Sequence, residues 1–462
     1  MTAIPWTPRN YQRAGVKFLV SHSCAGLWWE PGMAKTSTIL AAFEVLRSKG
    51  LASRMLVICP LRPAYSVWGP ETQKWRDFQH LRVAVLHGPK KQAALESKAD
   101  IDVINPEGLS WLLAQRLRAH GSDPWPWDIL VIDEAHTFRH ADTLRFKKLK
   151  PYLPEFRRRY TLTGSPTPRS LLDLFGQVFL LDLGGALGRY ITHYRNAYFN
   201  PSGYGGFTWT PRQGAEEAIY AKLKPLIMRL AAKDYLDLPP LIHNRVHVDL
   251  PAKALRAYKQ MEEQMIAMVN DDLVVAANAA VASGKCRQIT GGGIYAADGK
   301  AWQDIHEAKV DAVEEIVEEL QGKPALVAYE FAHELARLQK RFPDAPHLGG
   351  GVTAKRFKEI EAAWNRGEVP VLLAQPQSAA LGINLQQTEA AVIFHSTPWA
   401  LDMHDQFIGR VWRQGQKHRV VCHYIVAKDT VDEVVMQALA RKSRTQNDLL
   451  DALKTYVRGV KS

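Results

Sequence analysis

Short apolar runs that end in turn residues and lead into helix-like stretches limit this chain's fold more than any other feature. Leu56-Val-Ile-Cys-Pro60, Ile129-Leu-Val-Ile-Asp133, Ala325-Leu-Val-Ala-Tyr329, Val371-Leu-Leu-Ala374 and Ala391-Val-Ile-Phe394 are such runs. A strand apolar on both sides must be covered on both sides, so its alternation with helices predicts βαβ units and parallel sheets. Between the strands, Lys309–Leu320 places Val310, Val313, Val317 and Leu320 on one helical face with acids opposite. The runs fall into two sets, before about residue 170 and after about residue 320, which predicts two α/β lobes.

Composition narrows the class. The 462 residues are 46% hydrophobic and 23% charged, globular values that exclude disorder as the main description. No apolar run is long enough to span a bilayer, and the N-terminus lacks the basic-then-apolar pattern of a secretory signal. Cys24, Cys59, Cys286 and Cys422 form no CxxC pair, which argues against a zinc site and a disulfide framework. A soluble protein of a reducing compartment is expected. The net charge of +12 is unevenly spread: residues 1–250 hold 33 basic and 21 acidic side chains, residues 251–462 hold 26 of each. A basic balance suits an anionic partner such as nucleic acid, or simple solubility.

The texture changes between the two sets. Gly184–Pro211 is rich in glycine and aromatic residues, Ala252–Val281 is helical and Met/Ala-rich, and Pro239-Pro240 suits a joint because proline stiffens the chain and cannot continue a helix.

Two segments carry chemistry. In Glu30-Pro-Gly-Met-Ala-Lys-Thr36, small residues precede a lysine and a hydroxyl, with a helix expected over Ser37–Arg47. Such a loop can turn backbone N–H groups to phosphates, with Lys35 for charge and Thr36 for magnesium; an ordinary loop opening a helix is the competing reading. Asp133-Glu-Ala-His136 follows a buried strand and projects two carboxylates from its C-terminal edge, where open α/β sheets bind ligands. One acid can hold magnesium and the other can orient or deprotonate a water.

The order Gln12, Lys35-Thr36, Asp133-Glu-Ala-His136 and Leu162-Thr-Gly-Ser-Pro166 resembles the first lobe of a superfamily-two helicase. Gln406-Phe-Ile-Gly-Arg-Val-Trp-Arg-Gln-Gly-Gln416 is similar to the last motif of its SWI/SNF-type branch of DNA translocases. Pro60 with Trp68, Ile104–Leu109, Arg229 with Lys233-Asp234, Leu238-Pro-Pro240 and Gly382-Ile-Asn-Leu385 agree with that branch. The resemblance runs from Tyr11-Gln12 to about Lys442 and is strongest to small phage or bacterial members, so a bacterial cytoplasm or a phage-infected cell is the expected location.

This resemblance implies an α/β fold of two tandem RecA-like lobes, parallel sheets flanked by helices, with helical insertions. Lobe one would span 1–235 with a protrusion over about 170–235; lobe two would span 236–462 with a helical insertion over about 251–305. The implied activity is DNA-dependent ATP hydrolysis with ATP and Mg2+, coupled to movement on double-stranded DNA. A strand-separating helicase and a non-hydrolysing DNA-binding scaffold are the alternatives. Gln12 would contact adenine; Gly32, Ala34 and Lys35 would hold phosphates; Thr36 and Asp133 would hold magnesium; Glu134 would be the base. Gly382, Arg410 and Arg413 would complete the nucleotide site from lobe two, the two arginines sharing a helical face as fingers. His136, Thr163, Ser165 and Gln406 would couple the site to movement.

Lys147, Lys148, Arg157, Arg158 and Arg159, with Arg145 and Lys150, form the densest basic cluster and the expected sequence-independent contact to the DNA backbone. A solvated helix face is the plainer reading. A monomer is expected, with no membrane contact and protein partners left unspecified.

The chain departs from the family pattern in places. Ala34 replaces a glycine, at little cost if its φ is negative. Ser378–Gly382 lacks the family's paired glycines, and Gly409 and Trp412 stand where Asp and His are frequent.

Overall fold

The computed structural model describes residues 3–118, 125–164, 166, 170–202, 208–231, 234–235, 238–270, 275–296, 299, 301–379 and 383–440. The chain divides into two compact units, Met1–Leu236 and Asp237–Ser462.

The first unit is built on seven parallel strands. They are β1 (Cys24–Trp29), β2 (Met55–Ile58), β3 (Val83–Val85), β4 (Ile101–Ile104), β5 (Ile129–Asp133), β6 (Arg158–Leu162) and, after the hairpin β7 (Phe199–Ser202) and β8 (Thr208–Pro211), β9 (Ile227–Leu230). Their order is β3-β4-β2-β5-β6-β1-β9. Every residue of β2 and β4 is buried, as helices on both faces require. That burial extends to Asp102, whose carboxylate accepts from Arg54 Nη2 at 2.6 Å and Trp127 Nε1 at 2.7 Å.

The helix Lys35–Ser48 lies behind β1 and buries Ile39, Leu40, Phe43 and Leu46. Each such side chain contributes about 1.5–3 kcal/mol of burial, so the element that begins at Lys35 is firmly anchored.

The second unit has a parallel sheet of β10 (Leu241–Val248), β13 (Ala325–Ala328), β14 (His347–Leu348), β15 (Val371–Ala374), β16 (Ala391–Phe394) and β17 (Val420–Ala427), plus the hairpin β11 (Gly293–Tyr295) and β12 (Trp302–Asp304). The sheet order is β10-β17-β16-β13-β15-β14. Helices Ala252–Asn270 and Val275–Thr290 precede the hairpin, and Tyr258, Cys286 and Ile289 pack against Ala427, Val431 and Val434.

The predicted helix over 309–320 spans Ala308–Glu319 with Val310 and Val313 buried. Lys309 on it is buried as well, 2.5 Å from Asp432 Oδ2. Among the described residues no helix is long and apolar enough to cross a membrane. Both units are α/β with parallel sheets between helices, the RecA-like architecture expected.

Candidate nucleotide site

The strand order β5-β6-β1 puts the C-terminal ends of β1 and β5 on the same edge, two strand spacings or about 10 Å apart. β1 ends at Trp29 and feeds the loop Glu30–Ala34; β5 ends at Asp133. The sheet therefore delivers the lysine loop and the acidic pair to one place, at the edge where parallel sheets bind ligands.

The loop turns through Gly32 at φ 84° and Ala34 at φ 53°, ψ 46°. Ala34 thus adopts the left-handed conformation, against the expectation of a negative φ. The conformation is imposed because Ala34 must reverse the chain directly into the helix starting at Lys35, a turn for which glycine is the unstrained residue. Lys35 folds back over the loop, Nζ donating to the Trp29 carbonyl at 2.8 Å and the Glu30 carbonyl at 3.4 Å. No acid lies in the first helical turn, where the exposed N–H groups favour anions.

Gln12 is buried beside this helix. Its Oε1 accepts from the Arg9 N–H at 3.0 Å and its Nε2 lies 3.4 Å from Ser37 Oγ.

Asp133 is held at both oxygens. Oδ1 accepts from the Glu134 N–H at 3.0 Å and Oδ2 from Trp68 Nε1 at 3.3 Å. Burial and the adjacent Glu134 carboxylate push its carboxyl up to about 6, against the pull of the Lys35 ammonium. A carboxyl kept short of positive charge in this way suits a cation ligand. Asp133, Glu134 and Lys35 act on one another electrostatically and Thr36 follows Lys35 at the helix start, so their carboxylate, hydroxyl and ammonium chemistry fits a magnesium–nucleotide complex.

Glu134 is also left-handed, at φ 54°, and opens the tight turn Ala135–Phe138. His136 Nδ1 is 3.2 Å from Glu134 Oε2, so His136 pairs with the expected base. Thr163 is buried with its N–H 3.4 Å from the Leu27 carbonyl. Gly164 packs against the loop itself: a Cβ there would sit 3.0 Å from Pro31 Cδ. Ser165 and Gly382 lie outside the described residues.

Sequence reasoning registered Trp68 only as a family marker beside Pro60 and missed its bond to Asp133. The spacing of Pro60 and Trp68 along the chain carried no sign of that partner.

In the second unit, Gln406 is half-buried on the helix Leu401–Ile408, but Arg410 and Arg413 lie in the turns beyond it. The expected shared helical face is not present, because the chain leaves the helix at Gly409. What gathers the arginines is the Ile383-Asn384-Leu385 segment. Arg410 Nη1 reaches the Ile383 carbonyl at 3.5 Å, Leu385 N–H donates to the Arg410 carbonyl at 2.9 Å, and Arg413 Nη1 donates to Asn384 Oδ1.

The basic cluster divides. Arg158 Nη1 donates to the carbonyls of Leu19, Val20 and His22 at 3.4, 3.1 and 3.2 Å, closing the C-terminal end of the helix Asn10–Ser21. Arg159 donates to Leu181, Leu153 and Phe156 carbonyls at 2.8, 3.1 and 3.0 Å. These two guanidiniums are committed to carbonyls within the unit. Their alternation on β6 turns them towards neighbouring chain ends. Lys148 donates to Ser110 Oγ at 2.9 Å, while Lys147 and Arg157 are exposed, Arg157 lying 3.6 Å from Asp128 Oδ1.

Comparison with known proteins follows this layout. Residues 11–289 match the SNF2-related domain and residues 308–415 the helicase conserved C-terminal domain. Protein p41 of Acyrthosiphon pisum secondary endosymbiont phage 1 is 34% identical over 466 residues, covering 97% of this chain and 99% of that protein. The DNA annealing helicase and endonuclease ZRANB3 of Bos taurus is 22% identical over 87% of this chain, which spans only 37% of its length. The Pyrococcus furiosus Hef helicase domain aligns with a TM-score of 0.55 at 15% identity, covering 95% of this chain and 98% of that one, and so shares the fold. The chain belongs to the SNF2-related family, the SWI/SNF-type branch of helicase superfamily two, and is a DNA-dependent motor ATPase.

Proposed function

We propose that the protein is a translocase that couples ATP hydrolysis to movement along double-stranded DNA, with units 1–236 and 237–462 acting as its two lobes. The gathering of Lys35, Asp133 and Glu134 at one edge of the first sheet is the observation that carries this reading.

In it, the backbone N–H groups at the start of the helix Lys35–Ser48 and the Lys35 ammonium bind the β- and γ-phosphates. Thr36 and Asp133 hold magnesium, which when bound neutralises charge on the transferred phosphoryl group. Glu134 orients the attacking water and takes its proton, and His136 at 3.2 Å fixes that carboxylate. Gln12 sets the adenine end. Arg410 and Arg413 supply positive charge from lobe two. Lys147, Lys150 and Arg157 are the exposed members of the cluster that can attract DNA phosphates without reading sequence.

The test is ATP turnover with and without duplex DNA, alongside strand displacement on a forked duplex. Stimulation by duplex with no displacement is expected. Absence of stimulation by any nucleic acid would overturn the reading, and displacement would favour a strand-separating helicase.

A further inference from the structure

The chain from Pro60 to Lys74 is helical but not uniformly so. After one turn at Leu61–Pro63 it widens into a π turn over Ala64–Trp68, then continues as Gly69–Lys74. Inserting a residue in this way re-aims the side chains that follow, and such turns concentrate at functional sites. Here one turn has two opposite faces. Tyr65 is 45% exposed, its Oη 3.0 Å from His87 Nδ1, while Trp68 is fully buried with its indole N–H on Asp133 Oδ2.

We propose that Trp68 is a positioning residue for Asp133, holding the carboxylate in the orientation in which it receives magnesium. This rests on the reading of Asp133 as the metal-holding acid. The argument is stereochemical. Asp133 Oδ1 is fixed by the Glu134 N–H and Oδ2 by the indole N–H, so rotation of the carboxylate breaks one bond or both. Each oxygen keeps a further lone pair for a cation. An indole can only donate, so Trp68 cannot compete for the ion. Its own N–H is buried and would lose its partner if Asp133 turned away, which costs both sides of the contact.

Supports of this kind around a metal ligand change metal affinity about 10-fold or more when removed. The experiment is equilibrium binding of a fluorescent ADP analogue in excess Mg2+ and in chelator. Trp68→Phe should lose about 10-fold of the Mg2+-dependent gain in affinity, with affinity in chelator unchanged. In turnover, KM for Mg2+ should rise by a similar factor while kcat at saturating Mg2+ falls much less. A benzothiophene isostere of the indole at position 68, which keeps the packing and lacks the N–H, should behave as Trp68→Phe does. Trp68→His, which retains a ring N–H, should recover part of the loss.

Equal weakening with and without Mg2+ in the isostere variant, or no change in it, overturns the proposal. Asp133→Asn separates the two levels. If it keeps the Mg2+-dependent gain, the metal-site reading fails; if it loses the gain while the isostere keeps it, only the role of Trp68 fails.

Discussion

Ala34 and Glu134 share one backbone conformation at the candidate nucleotide site. φ is 53° at Ala34, after β1, and 54° at Glu134, after β5. Both residues are left-handed and both carry a Cβ; Ala34 directly precedes Lys35, expected on phosphate, and Glu134 is itself the side chain expected to act on water. Strain of this kind persists only where surrounding structure enforces it, and it clusters at active sites.

The strain at Ala34 is removable. Ala34→Gly should stabilise the first unit by about 0.5–1 kcal/mol, since glycine accepts the left-handed region but loses more chain entropy on folding. A melting temperature raised by about 1–3 °C with ATP turnover preserved is the expected result. An unchanged or lowered melting temperature would show that the loop's conformation costs nothing.

Glu134 is the expected base, and its backbone geometry does not depend on its charge. Glu134→Gln should lower ATP turnover by about 10²-fold or more while leaving nucleotide binding intact. Turnover and binding are measured separately for this purpose; retained turnover would assign the proton transfer elsewhere.

Gly164 is packed on the phosphate loop. A methyl at 3.0 Å from Pro31 Cδ and 3.4 Å from Pro31 N must displace the loop by a few tenths of an ångström. Gly164→Ala should therefore raise KM for ATP several-fold at nearly constant melting temperature. An unchanged KM would mean that Pro31 yields without moving Lys35.

The two arginines of β6 should affect stability rather than DNA affinity. Arg159→Ala removes a charged donor from three carbonyls and should cost about 2–4 kcal/mol. Arg157→Ala should cost less than about 0.5 kcal/mol and should reduce the salt dependence of DNA binding. Denaturant melts and a salt titration distinguish these outcomes; the reverse pattern would restore Arg159 as a DNA contact.

Acid should destabilise the second unit. His306 and His333 are buried and neutral, both lowered to about 4, chiefly by burial, with Arg337, Lys309 and His395 opposing a further charge on His306. His306 uses both ring nitrogens: Nε2 donates to the Ile289 carbonyl at 2.8 Å and Nδ1 accepts from the Ala308 N–H at 3.3 Å. In the unfolded chain these rings titrate near 6.5. Their stabilising effect is complete above that value and declines as pH falls towards 4. The melting temperature should drop by several degrees between about pH 7.5 and about pH 5. His306→Asn, which cannot titrate, should flatten the slope.

Nearby, burial pushes the Glu334 carboxyl up, but His395, His333 and the Ser396 hydroxyl outweigh it and hold it well below the usual range. That carboxylate also accepts from the backbone N–H of Glu330 and Phe331.

Strands covered on both faces were legible because burial leaves no polar side to hide them: β5, β13, β15 and β16 follow their apolar runs closely. β1 was harder, because Cys24-Ala-Gly-Leu-Trp-Trp29 mixes a glycine and two tryptophans in place of a β-branched run. β6 was hidden by Arg158 and Arg159, whose charges suggested a surface cluster.

Pattern and order by themselves determined the α/β class, the family motifs and the acids and lysine of the candidate site, because these depend on residue type and spacing along the chain. Tertiary structure alone decided the sign of φ at Ala34, the exit of Arg410 and Arg413 from their helix, the inward commitment of Arg158 and Arg159, and the seat of Trp68 on Asp133. Each of those depends on which carbonyl, carboxylate or ring arrives from a distant segment. A side chain's partner is set by three-dimensional packing, and residue type fixes only what it is able to bind.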